Sequence, residues 1–251
     1  MIPIKDENPT YYRSIVTYII IIMNVLIWIF IQKLGTHPDL LNSIIQYGLI
    51  PGDLLGLVKP GTQVPVGDGL AYVLDGKPNW LTPVTSMFMH GGWLHLIGNM
   101  WFLGIFGDNV EDILGPVKFI IFYILCGICA AAAQIAADPS SQIPMVGASG
   151  AIGGVMGAYA VMFPRAPVHM LIIFGFFITR IIVPAFFMLG YWFILQLIGG
   201  FFSSGMGGVA FWAHIGGFFS GILLIKLLCT AKRAEECRLR RGTTNRMISR
   251  Y

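Results

Sequence analysis

Charge is scarce in this chain. Only 11% of its 251 residues are charged, against about 25% in soluble domains. The acidic residues also avoid the apolar blocks. All 12 Asp and Glu fall outside the six apolar runs described below. A proton relay or cation path lined by carboxylates therefore has no residues to use, and neither has intramembrane aspartyl chemistry. No H-E-x-x-H segment is present, which removes the helical zinc-protease arrangement. Four cysteines make no disulfide framework. Cys126 and Cys129 form a C-x-x-C inside an apolar run, where packing is the default use. Cys229 and Cys237 follow the last run, on the side where thiols are expected to stay reduced. No internal repeat is evident, so the inverted-repeat signature of many transporters is missing.

What is plentiful is apolar surface and glycine. Hydrophobic residues make up 56% of the chain, and the mean hydropathy is +0.74. The apolar residues come in long blocks, and about 20 in a row cross the hydrocarbon core. Six spans are expected, at 15–33, 93–107, 116–137, 148–163, 181–201 and 209–228. The stretch Pro167–Thr179 is apolar but short for a crossing, and is expected at the inner interface. The expected fold is an all-α polytopic membrane protein of six transmembrane helices, with a long outer loop between the first two. One membrane domain would cover 15–229, between a cytoplasmic segment 1–14 and a basic cytoplasmic tail 230–251. No cleavage site follows the first run, which is read as a retained helix.

Orientation follows from the basic residues. Half of the 16 Lys and Arg lie from Lys226 onward, which puts that tail in the cytoplasm by the positive-inside rule. Six spans then return the N-terminus to the same side. Asp138–Gly147 and Phe202–Gly208 carry no Lys or Arg and fall outside, whereas Pro164–Arg180 carries Arg165 and Arg180 and falls inside. Lys118 is the exception, in a loop shared with Asp108, Glu111 and Asp112.

Polar groups at membrane depth are costly and usually functional. The candidates are His90, His95, Asn99, Ser149 and His214. Taken singly, each has an ordinary use: Ser149 as a helix N-cap, His214 as a satisfied buried histidine, His95 and Asn99 as interhelical glue. Depth groups them. His95, Ser149 and His214 each stand near the outer end of a different span, and Asn99 shares a helix face with His95 at i+4. Ser149 lies in Gly147-Ala148-Ser149-Gly150, where small neighbours leave its hydroxyl approachable and the helix start offers an unpaired amide. Serine needs a base. His214 is the candidate, because Gly150, Gly153, Gly154, Ala213 and Gly217 allow spans four and six to approach closely. With no carboxylate at hand the arrangement is a dyad. His95 and Asn99 are candidate donors to an oxyanion.

The segment His90-Gly-Gly-Trp-Leu-His95-Leu-Ile-Gly-Asn99 resembles the H-x-x-x-x-H-x-x-x-N motif of the rhomboid intramembrane serine proteases. Gly147-Ala148-Ser149-Gly150 resembles their G-x-S-G, and Ala213-His214-Ile215-Gly216-Gly217 their A-H-x-x-G. All three occur in order on the matching spans, and the likeness covers most of the chain. The resemblance implies a rhomboid-like bundle in which Ser149 is the nucleophile and His214 its base. His95, Asn99 and the Ser149 amide would form the oxyanion hole, and His90 would brace the outer loop. It implies single-span membrane proteins as substrates, reached near span five and Phe202–Gly208. The bilayer is the other expected partner. No cofactor, metal or nucleic acid is expected. A plasma (inner) membrane is the expected location, with both termini cytoplasmic and the site toward the outer face. The alternative is a non-catalytic relative that binds transmembrane helices. Two positions depart from the common pattern. Where many members carry an aromatic residue four after the serine, this chain has Gly153, and where the first loop often has Trp-Arg it reads Trp80-Leu81. Gly153 leaves open what holds the imidazole.

Overall fold

The computed structural model describes residues 2–67, 70–202 and 209–230, together with Glu235. The basic tail expected over 230–251, with Cys237, lies almost wholly outside the described residues, as does most of Phe202–Gly208. The chain opens with strand β1 (Ile2–Asp6) and helix α1 (Ile15–Phe30). A connection then carries two short helices, α2 (Asp39–Tyr47) and α3 (Pro51–Leu54), the strands β2 (Thr62–Gly67) and β3 (Leu70–Leu74), and one turn of helix, α4 (Thr82–Thr85). Helices α5 (Trp93–Leu114), α6 (Pro116–Ala137) and α7 (Ser149–Met162) follow. Strands β4 (Pro167–Phe174) and β5 (Phe177–Pro184) precede α8 (Ala185–Phe202) and α9 (Phe211–Leu228).

Each of the six apolar runs holds a helix, and the chain is mostly helical, but the expected all-α class is corrected by five strands among the described residues. The apolar stretch after α7 is a β-hairpin. Its turn opens on Gly175 at φ +57°, the backbone that a two-residue hairpin loop beginning with glycine uses. β4 pairs antiparallel with both β5 and β1, in the order β1-β4-β5. The fifth helix therefore starts at Ala185, because Ile181–Pro184 belong to β5. A continuous apolar run does not reveal by periodicity whether it is strand or helix. Here Val168, Ile172 and Ile173 supply β-branched side chains, which pack well on a pleated surface.

A second difference lies at the end of α5, which runs seven residues beyond the expected span end at 107 to include Asp108, Glu111 and Asp112. Both Glu111 and Asp112 are buried. The Glu111 carboxylate accepts the amides of Val16 (2.9 Å) and Thr17 (2.7 Å) and the Thr17 hydroxyl (2.7 Å). The first amides of a helix have no internal partner, and an anion there also meets the positive end of the helix dipole. Glu111 thus fastens the start of α1 to the end of α5.

Among the described residues, three helices are long and apolar enough to cross a membrane: α6, α8 and α9. α1 and α7 are apolar but shorter. The core lies among α5, α6, α7 and α9, around Phe106, Phe119, Phe122, Tyr123 and Tyr159. α7 packs most extensively on α9. A Cβ at Gly217 would collide with the carbonyl of Gly150, and one at Gly221 with that of Gly154. Small residues thus bring the two backbones together, and van der Waals contact is what favours helix pairing among apolar surroundings.

The connection between α1 and α5 is folded. It has a small core of Ile50, Val58, Tyr72 and Leu74. It docks on the segment before α7 through the Tyr72 hydroxyl to the Gln142 carbonyl (2.6 Å) and paired backbone bonds between Leu49 and Met145. The β1-β4-β5 sheet follows the C-terminal end of α7 and so lies at the end of the bundle opposite Ser149.

Candidate active site

Three chain segments converge where α7 begins. The Gly147 amide donates to the Ser86 carbonyl (2.9 Å), which holds the loop that delivers Ser149. Gly147 has φ +122°, and a Cβ there would stand 2.6 Å from His95 Nε2 and 3.5 Å from Asn99 Nδ2. Only glycine lets that backbone pass so close to both side chains. Ser149 is the first residue of α7, and His214 lies in the first turn of α9. The close α7–α9 packing brings the Ser149 Oγ and His214 Nε2 to 2.7 Å.

His95 and Asn99 come from α5 on the other side of Gly147. The Gly91 amide donates to His95 Nδ1 (3.3 Å). A neutral imidazole with Nδ1 accepting carries its proton on Nε2, the nitrogen that faces Gly147. Asn99 is buried, and its Nδ2 has no hydrogen-bond partner among the described residues. A buried donor without a partner costs about 1–3 kcal/mol, and this N–H is available to an acceptor at the cavity wall. A cavity of about 530 Å³ opens here, with His95, Asn99, Met145, Ser149, Trp192 and His214 among its walls.

His90 stands beside this group without entering it. Its amide donates to Gln32 Oε1 and its carbonyl accepts from Gln32 Nε2, both at 2.8 Å. This two-bond clamp ties the end of α1 to the start of α5. The ring is fully buried and meets His95 edge-on, with centroids 5.2 Å apart. Burial, with His95 adding to it, lowers the His90 imidazole to about 3, so it is neutral. Of the small residues expected near the site, Gly150 fits against Ala130 and Gly217 against Gly150. The Ala213 amide donates to Gln134 Oε1 (3.2 Å).

Two residues outside the sequence candidates complete the surroundings of His214, and both are on α8. Gln196 Oε1 lies 2.7 Å from His214 Nδ1. The Trp192 ring lies 5.8 Å from the imidazole at an interplanar angle of 39°, and its edge is 3.7 Å from the place of a Gly153 Cβ. The space that an aromatic side chain at 153 would take is filled from α8. The signal for Gln196 is present in the sequence: it is a lone amide in the middle of an apolar helix, where burial without a partner is costly.

A mostly helical fold with long apolar helices indicates a multi-pass membrane protein, and it carries a half-buried Ser–His pair at a helix start. A family model described as "Rhomboid domain" matches residues 77–231. The chain belongs to the rhomboid family. It is 30% identical over 167 residues to "Rhomboid-like protein 11, chloroplastic" of Arabidopsis thaliana, across 62% of this chain and 55% of that protein. It is 28% identical over 162 residues to "Putative rhomboid protease YdcA" of Bacillus subtilis (strain 168), across 63% of this chain and 69% of that one. To "Rhomboid protease GluP" of the same organism it is 32% identical over 151 residues, 60% of this chain but 27% of the relative. The chain thus spans about half the length of the first relative and about a quarter of the last.

Proposed function

We propose that this protein is a serine-type endopeptidase that cuts transmembrane segments, with Ser149 as nucleophile and His214 as general base. One observation carries the reading: the 2.7 Å approach of Ser149 Oγ to His214 Nε2, in the wall of a cavity beside the unpartnered Asn99 amide. In the reaction, Ser149 Oγ attacks the scissile carbonyl carbon and its proton passes to His214 Nε2. The carbonyl oxygen becomes an oxyanion that accepts from Asn99 Nδ2, His95 Nε2–H and the Ser149 amide. As the intermediate collapses, the C–N bond breaks and the leaving amine takes the proton from His214. Water, deprotonated by the same imidazole, then cleaves the acyl ester and restores the serine.

The topology is part of the proposal: six spans, both termini in the cytoplasm, and the site toward the outer face of a plasma membrane. The 14-residue α7 is only about 21 Å long at 1.5 Å per residue. It is buried among its neighbours, and a helix enclosed by protein need not match the hydrocarbon thickness. Single-span membrane proteins are the substrates proposed, with no cofactor. The close Ser149–His214 pair favours catalysis over a helix-binding relative without activity.

The test uses the full chain in detergent with a model single-span substrate, comparing wild type with Ser149→Ala and His214→Ala. Cleavage by wild type and by neither variant is the expected result. Cleavage that survives in both removes the dyad. A wild type that binds the substrate and never cuts it supports the non-catalytic reading.

A further inference from the structure

We infer that Gln196 is the positioning residue of His214, fixing the tautomer that lets the imidazole accept the Ser149 proton; this rests on the protease reading above. The bookkeeping of donors supports it. Gln196 Nε2 donates to the Trp192 carbonyl one turn back (3.3 Å), which leaves Oε1, an acceptor only, facing His214 Nδ1 at 2.7 Å. Nδ1 must then carry the hydrogen. A neutral imidazole has one N–H, so Nε2 presents a lone pair to the Ser149 hydroxyl at 2.7 Å. The opposite tautomer would set two lone pairs against each other at Nδ1 and would leave Nε2 unable to take a proton. A third group that orients the base is the general form of such sites, and here it is an amide. An amide suits a buried position because it carries no charge to be desolvated.

Gln196 is itself well placed to be rigid. It is 8% exposed, and it lies on the α8 stripe Met188, Trp192, Gln196 that turns inward at i, i+4, i+8. Trp192 packs on the same imidazole from the preceding turn. Both groups that hold His214 from the side therefore ride on one helix. That helix exposes Phe187, Tyr191, Ile194, Leu195 and Ile198 along its other face. A shift of α8 away from α9 would withdraw Gln196 and Trp192 together, so the imidazole is oriented only while α8 is seated.

The test compares wild type, Gln196→Leu and Gln196→Glu as full-length protein, measuring kcat, KM and the pH profile of kcat/KM on a single-span substrate. In Gln196→Leu, kcat falls by about 10–100-fold with KM little changed, the size typical of losing an outer orienting partner. In Gln196→Glu the acceptor is kept, so most of kcat returns, and the added negative charge favours imidazolium. Because the base works in its neutral form, the acidic limb of the profile moves to higher pH. A carboxylate at 196 held away from Nδ1 and solvated would leave that limb nearly in place, so the shift reads the direct contact. Wild-type kcat in folded Gln196→Leu overturns the inference, and so does an acidic limb unmoved in Gln196→Glu. If Gln196→Leu does not fold, the Gln196→Glu profile decides alone. Wild type without Ser149-dependent cleavage would instead strike the protease reading itself.

Discussion

Gly147→Ala perturbs the geometry of the oxyanion side while keeping both dyad side chains in the sequence. The added Cβ would stand 2.6 Å from His95 Nε2, about 1 Å inside ordinary van der Waals contact. The backbone there has φ +122°, and alanine in such a conformation costs on the order of 1–3 kcal/mol. Neither neighbour yields easily. The Gly147 amide is bonded to Ser86, and the His95 ring is held by the Gly91 amide and by the edge of His90. Relief therefore moves the Ser149 amide, the His95 donor or both by roughly 1 Å. Losing one oxyanion donor lowers kcat by about 10²–10³-fold, and that is the expected loss. The assay is kcat and KM on a single-span substrate, beside the unfolding temperature in the same detergent. Phosphonylation by a serine-directed fluorophosphonate should slow in parallel, because its P=O oxygen occupies the same place. A folded Gly147→Ala protein with kcat within about twofold of wild type would refute the placement of His95 and the Ser149 amide.

Two further outcomes are expected. Asn99→Ala should lower kcat by about 10²-fold or more while KM changes little, since its Nδ2 has no partner to lose among the described residues and the proposed role is in the transition state alone; steady-state kinetics check it. Glu111→Gln replaces one of two accepting oxygens with a donor facing the α1 amides, and should cost about 1–3 kcal/mol of stability. It should appear as a lower unfolding temperature, with activity per folded molecule unchanged.

The helices were legible because their signal is length: each of the six apolar runs contains one. The candidate residues were legible because a polar side chain among apolar ones is conspicuous. That logic placed Ser149, His214, His95 and Asn99, and the structure brings all four around one cavity. The same logic applies to Gln196, which stands alone in α8, yet its partner is 18 residues away on another helix and no spacing rule joins them. Trp192 is harder still, because an aromatic residue in an apolar helix looks like any other. The β4–β5 hairpin was hidden by its unbroken apolar sequence, and its pairing with β1 is a contact between residues more than 160 apart. Glu111 was hidden by its charge: a carboxylate reads as the end of a span, whereas here burial is compensated by the free amides of α1.

The central claim is that His214 activates Ser149, and the most direct measurement is the site of covalent modification. The full-length protein is treated with a fluorophosphonate and mapped by peptide mass spectrometry. A single adduct on Ser149 in wild type, and none in His214→Ala over the same time, is the predicted result. An adduct on another residue, or equal labelling of Ser149 when His214 is alanine, would contradict it.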